Sequence, residues 1–193
     1  MVAPPSRRAL LKIGGAAGVL LALGGGALAW LGAGYDGLLG PDDVAIAMSK
    51  KELAVVRALC DALLPATGDF PSGLAVGVPQ RIDEELWAMP ARLREQLRDG
   101  IQLLEHVPPL YGKAHRFTAL GAADRLLVFE SMLKSSRPTL RQIAIALKQL
   151  CHLYYYAHPA VWPAIRYDGP FIQTPRPPDS HVAYAQLLAR RPS

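Results

Sequence analysis

From residue 49 onward, apolar side chains recur at intervals of three and four, the period of one helix face. Ser49 is followed three residues later by Glu52, a pairing in which each side chain satisfies a free backbone N–H at a helix start. Leu53, Val56, Cys60 and Leu63 then share a face, and Pro65 closes the segment. The connection "ATGDFPSGLAVGV" is long for a helix–helix loop. Pro79 suits the first turn of a second helix, with Ile82, Leu86 and Trp87 turned inward and Pro90 as its end. A third helix is expected over 91–105, on a stripe of Leu93, Leu97, Ile101 and Leu104, and a fourth over 120–134, carrying Leu127, Phe129, Met132 and Leu133. Pro138 opens the fifth and longest, to about Ala157, with Leu140, Ile143, Leu147, Leu150 and Tyr154 in line. Pro159 and Pro163 break the chain after it, "RYDGPFIQTPRPPD" reads as extended, and His181 to Arg190 forms a short last helix. No strand-like alternation competes with these patterns. The predicted class is all-α: a compact bundle of about five helices with long Pro- and Gly-rich connections.

The first 34 residues obey a different rule. Residues 13–34 carry no charge, a length that would just span a bilayer, but they are dilute in large apolar side chains and rich in glycine. Ahead of them stands "SRRALLK". Ser6, the pair Arg7 and Arg8, then Leu11 and Lys12 fit the twin-arginine export pattern. A basic start, an apolar run and the small-residue triplet Ala27-Leu28-Ala29 complete the three parts of an export signal. Cleavage after Ala29 and retention as an N-terminal anchor in the inner membrane are both compatible with this length. The expected organisation is a signal or anchor over 1–34, an irregular tether over 35–48, and a helical domain over 49–193 ending in a proline-rich segment. The expected location is periplasmic. The twin-arginine translocase carries chains that are already folded, so such a chain either folds around a cofactor or travels with one that does.

Composition narrows the second half of that choice. The chain has 193 residues, 51% of them hydrophobic and 19% charged, enough for one packed domain plus a leader. The formal charge of +5 owes much to the leader. Setting aside Arg7, Arg8 and Lys12 brings the 21 basic residues close to the 16 acidic ones. No basic stripe with interleaved aromatics remains, which argues against nucleic-acid binding. The two cysteines, Cys60 and Cys151, each lie on an apolar helix face. In an oxidising compartment they are candidates for a disulfide; the alternative is two small buried side chains that never meet. The five histidines show no metal-ligand spacing, and neither a phosphate-cradling glycine loop nor a nucleophile elbow is present. No catalytic, cofactor-binding or metal-binding residue is assigned. Tyr154, Tyr155 and Tyr156 are consecutive, and neighbours on a helix point about 100° apart, so at least one must face solvent or a partner. Tyr155, Tyr156, Trp162 and Tyr167 are therefore candidate partner contacts.

The stretch "ELAVVRALCDALLPATGDFPSGLAVGVPQRIDEEL" resembles the opening of the gluconate 2-dehydrogenase subunit 3 family, through Leu64-Pro65-Ala66, Ala75-Val76-Gly77-Val78 and Ile82-Asp83. The segment "HPAVWPAIRYDGP" resembles the family's closing motif, with Trp162, Ile165, Tyr167, Gly169 and Pro170 in place. It departs from that motif at Ala164 and Arg166, where glycines are usual. The resemblance implies a small, non-catalytic subunit of a membrane-associated dehydrogenase. Its partner would be a flavoprotein of the glucose-methanol-choline oxidoreductase type, holding the FAD, with a multi-haem cytochrome c as a further subunit. The small subunit would supply the export signal and assist maturation of the flavoprotein. A stand-alone periplasmic helical enzyme and a membrane-anchored binding protein are the rival readings.

Overall fold

The computed structural model describes residues 34–170 and 179–190. The chain divides into two compact units, residues 1–34 and 35–193, and the helical bundle is the second of them. Arg7, Arg8, Leu11, Lys12 and the cleavage position after Ala29 lie outside the described residues, as does the proline-rich stretch 171–178.

Six α-helices are present among the described residues: α1 (Lys50–Leu63), α2 (Val78–Ala88), α3 (Ala91–His106), α4 (Ala122–Leu133), α5 (Pro138–Ala157) and α6 (Asp179–Ala189). Short 3-10 segments at Asp36–Leu38, Pro108–Tyr111, Phe117–Ala119 and Pro159–Ile165 fill the connections. The one extended pairing among the described residues is an isolated bridge between Thr67 and Phe70. The fold is all-α.

The helix starts reflect the chemistry of their first residues. Ser49 caps α1, its Oγ accepting from the Glu52 N–H while Glu52 Oε2 accepts from the Ser49 N–H at 2.7 Å. Prolines occupy the opening turns of α2 and α5, where a missing N–H costs nothing. α1 is the central helix, with Leu53, Val55, Val56, Leu59 and Cys60 buried and α2, α3 and α4 packed around it. α5 closes the bundle against α2, α3 and α4. Phe117, Phe129, Ile82, Leu86, Ile101, Leu104 and Met132 fill the interior.

The loop after α1 folds back on the helix end. The Gly73 N–H donates to the Leu64 carbonyl at 2.8 Å, and a Cβ at residue 73 would lie 2.8 Å from that of Leu64. Only glycine permits this approach, and it returns the chain to begin α2 beside α1.

Leu93, expected on the apolar stripe of α3, is exposed, and two broader expectations change. The stretch 35–48 is irregular in backbone yet is no tether. Ala45 and Met48 are buried, Asp43 pairs with Arg57, and the Ala47 carbonyl accepts from Arg98. The core face of α5 is also rotated from the stripe expected for it. Leu140, Ala144, Leu147, Cys151 and Tyr155 are buried, whereas Ile143, Leu150 and Tyr154 are only half-buried. α5 is apolar on more than one side, so periodicity alone offers two stripes, and packing against the rest of the bundle selects between them.

Candidate functional site

Three features stand out: two fully buried carboxylates, a thiol pair and an aromatic groove. Asp83 sits on α2 between Ile82 and Leu86 and is fully buried. Its carboxylate accepts from the backbone N–H groups of Ile46 (2.6 Å), Ala47 (3.0 Å) and Met48 (2.6 Å), and from the Tyr184 hydroxyl of α6. One side chain thus fastens the segment ahead of α1 and the last helix to the same point. His181 of α6 adds a contact to Glu84 at 3.5 Å, and the rings of Trp87 and Tyr184 lie 6.2 Å apart.

Glu105 on α3 is the second fully buried carboxylate; Glu52, nearly as buried, is held by the α1 cap and by Arg98. Glu105 accepts from the Thr118 N–H at 3.0 Å, the Thr118 hydroxyl at 2.7 Å and the Tyr35 hydroxyl at 2.9 Å. Arg116, itself buried, lies 3.6 Å away, with its guanidinium 4.4 Å from the centre of the Tyr35 ring. Burial pushes the Tyr35 hydroxyl up to about 12, and the negative charge of Glu105 acts in the same direction. The neighbouring His106 meets Lys51 Nζ at 2.9 Å; burial, reinforced by that ammonium, holds its pKa below the usual value.

The sulfurs of Cys60 on α1 and Cys151 on α5 approach to 3.9 Å, as free thiols, both buried. The hydrogen bond to Cys151, then burial, pushes the Cys60 thiol well above its ordinary value, which favours the unreactive protonated form. The other histidines are scattered. His158 caps the 3-10 segment after α5, and His152 Nδ1 lies 2.8 Å from the Lys148 carbonyl oxygen. Among the described residues no group of three or more His, Cys, Asp or Glu is placed to hold a metal ion. Also among the described residues, no helix is long and apolar enough to cross a membrane.

The aromatic residues named from the sequence separate into two sets. Tyr155 is 3% exposed, and its hydroxyl donates to the Pro71 carbonyl at 2.7 Å. It belongs to the interior of this chain, not to its surface. Tyr156, Trp162 and Tyr167 line an apolar groove of about 930 Å³ between the end of α5 and residues 162–170. Trp162 donates from Nε1 to the Tyr156 carbonyl at 3.1 Å, and Tyr167 meets the Trp162 indole edge-on at 5.4 Å. Gly169 has φ of 102°, and a Cβ there would lie 3.1 Å from the indole. The Tyr-x-Gly-Pro sequence is therefore a hook: glycine lets the backbone pass flat against Trp162, which holds Tyr167 upright.

Sequence reasoning does not single out Asp83, Glu105, Arg116 or Tyr184 as functional, although Asp83 stands in the Ile82-Asp83 motif. The usable signal is a carboxylate at a core position of a helix stripe: Asp83 lies three residues before Leu86 and Glu105 four residues after Ile101, spacings that share a helix face. A charge there must be fully paired to be tolerated.

No curated protein and no solved structure matches the chain. Residues 50–169 match the family model for gluconate 2-dehydrogenase subunit 3, a span running from the capped start of α1 to the glycine of the hook, and the chain belongs to that family.

Proposed function

We propose that this chain is the small, non-catalytic subunit of a periplasmic, flavin-dependent sugar or alcohol dehydrogenase. It supplies the twin-arginine signal for a catalytic flavoprotein of the glucose-methanol-choline type and assists its maturation. A multi-haem cytochrome c would be a further subunit. The observation that carries this reading is membership, over residues 50–169, of a family of dehydrogenase subunits. The Arg7-Arg8 leader supports the export role, because that route accepts folded chains and so can move a loaded partner with its escort.

Replacing Arg7 and Arg8 together with Lys is expected to leave both this chain and its flavoprotein in the cytoplasm. The check is flavin content and partner antigen in fractionated cells. Normal export of the flavoprotein beside a stranded small subunit would overturn the reading.

Export also brings an oxidising compartment. Cys60 and Cys151 are proposed to be joined there, closing a loop spanning 91 residues between α1 and α5. In the chain-entropy account such a loop adds about 4–5 kcal/mol. Intact mass of the exported chain, with and without reductant after denaturation, reads the bridge as a loss of two hydrogens. Identical masses in the two conditions would exclude it.

A further inference from the structure

We propose that the outer side of α5, with the Trp162–Tyr167 hook at its end, seats an amphipathic helix of the catalytic subunit, its apolar edge in the groove and its flank acidic. This rests on the proposal that such a subunit is the partner.

The surface is built for a protein partner. The groove at the hook and a second one of about 520 Å³ between α3 and α5 share Ala146 and Leu150, so they run into one another along α5. Among the described residues, neither is lined by a Lys, Arg, Asp or Glu. Depletion of charge with aromatic anchors is the signature of an interface centre. α5 buries one side in the bundle, yet on the other Leu153 is 60% exposed and Tyr156 45% exposed. A helix with a second apolar side beyond its core face has a second surface to cover.

The chemistry of the occupant is set by the side chains that border the groove. α5 contains no acidic residue. Arg141, Ile145, Lys148 and His152 recur at helical spacing and form a line beside Gln142, Ala146, Gln149 and Leu153. A partner helix lying along the second line meets Arg141 and Lys148 with its flank, and only an acidic flank complements those two charges. The span from 142 to 156 is about 21 Å, matching roughly four turns of helix. A second copy of this chain fits poorly. An antiparallel pairing about a two-fold axis would set groove against groove and basic line against basic line, leaving the concave volume unfilled.

The experiment uses the tagged full chain co-expressed with its flavoprotein, and reads flavin absorbance recovered per mole of tagged chain. Leu153→Asp combined with Tyr156→Asp is expected to cut recovery about tenfold or more, with an unchanged thermal melt of the tagged chain. Lys148→Glu, on an exposed position, is expected to weaken recovery more modestly and in a salt-dependent way, with the thermal melt unchanged. Full recovery with both variants would overturn the assignment while leaving the subunit reading intact. Absence of flavoprotein from the wild-type preparation would overturn both. Two other results would give the groove to a different occupant and overturn the proposal. One is a dimer of the chain that the variants abolish. The other is flotation of the wild-type chain on anionic phospholipid vesicles, lost in the variants.

Discussion

Asp83→Ala is expected to lower the stability of the domain by about 3–5 kcal/mol, a drop of roughly 10 °C or more in the melting midpoint. The carboxylate is fully buried and accepts from three consecutive backbone N–H groups and a tyrosine hydroxyl. Alanine removes every acceptor at once. The donors of Ile46, Ala47 and Met48 would then lose their carboxylate partner, and desolvated donors cost about 1–3 kcal/mol each unless water or a shifted backbone reaches them. Asp83→Asn keeps the shape but offers one acceptor oxygen and turns an NH2 toward donors, so it should recover only part of the loss. Tyr184→Phe removes one partner and is expected to cost about 1 kcal/mol. In the Asp83→Ala background that substitution should add almost nothing, since contacting residues are not additive. Calorimetry on the wild type, the two single variants and the double variant measures this; additive losses would mean that Asp83 and Tyr184 act independently.

The second large effect is expected at Glu105. Glu105→Ala takes the carboxylate from a buried guanidinium, Arg116, from both donors of Thr118 and from the Tyr35 hydroxyl. Breaking one side of a buried ion pair costs about 3–5 kcal/mol, whereas replacing both partners by apolar side chains is far less damaging. Glu105→Ala combined with Arg116→Met should therefore be more stable than Glu105→Ala alone, read by urea unfolding. Tyr35 supplies a pH signature for the same cluster. A tyrosine in the unfolded chain releases its proton near 10, while in the folded protein Tyr35 holds it to about 12. Between those values the folded state binds more protons than the unfolded state, so its stability falls as pH rises from about 10 to about 12. Tyr35→Phe should flatten the part of that alkaline loss owed to Tyr35; an unchanged slope would place the titration elsewhere.

The helices were legible because their boundaries are written in local chemistry. Ser49 with Glu52, Pro138 and Pro159 each act within one turn, and the structure begins or ends helices beside them. What sequence could not reveal is what depends on contacts distant along the chain. Asp83 reaches Tyr184 across 101 positions and the 46–48 backbone across about 36, so neither partner is visible from the residues around it. For the same reason residues 35–48 read as loose, being glycine-rich, although their backbone donors and Tyr35 are held by carboxylates of α2 and α3. The tyrosine triplet shows the boundary well. Helix geometry required the three rings to diverge, but only packing decided that Tyr155 turns to Pro71 while Tyr156 joins the groove.

The position of Tyr184 has a consequence for timing. It leaves the ribosome 101 positions after Asp83, yet its hydroxyl completes the set around that carboxylate together with backbone from ahead of α1. A nascent chain halted short of α6 can assemble α1 to α5 but leaves that carboxylate one donor short. The finished set therefore records that α6 has been made and has docked, a state that a chain halted before Tyr184 cannot reach.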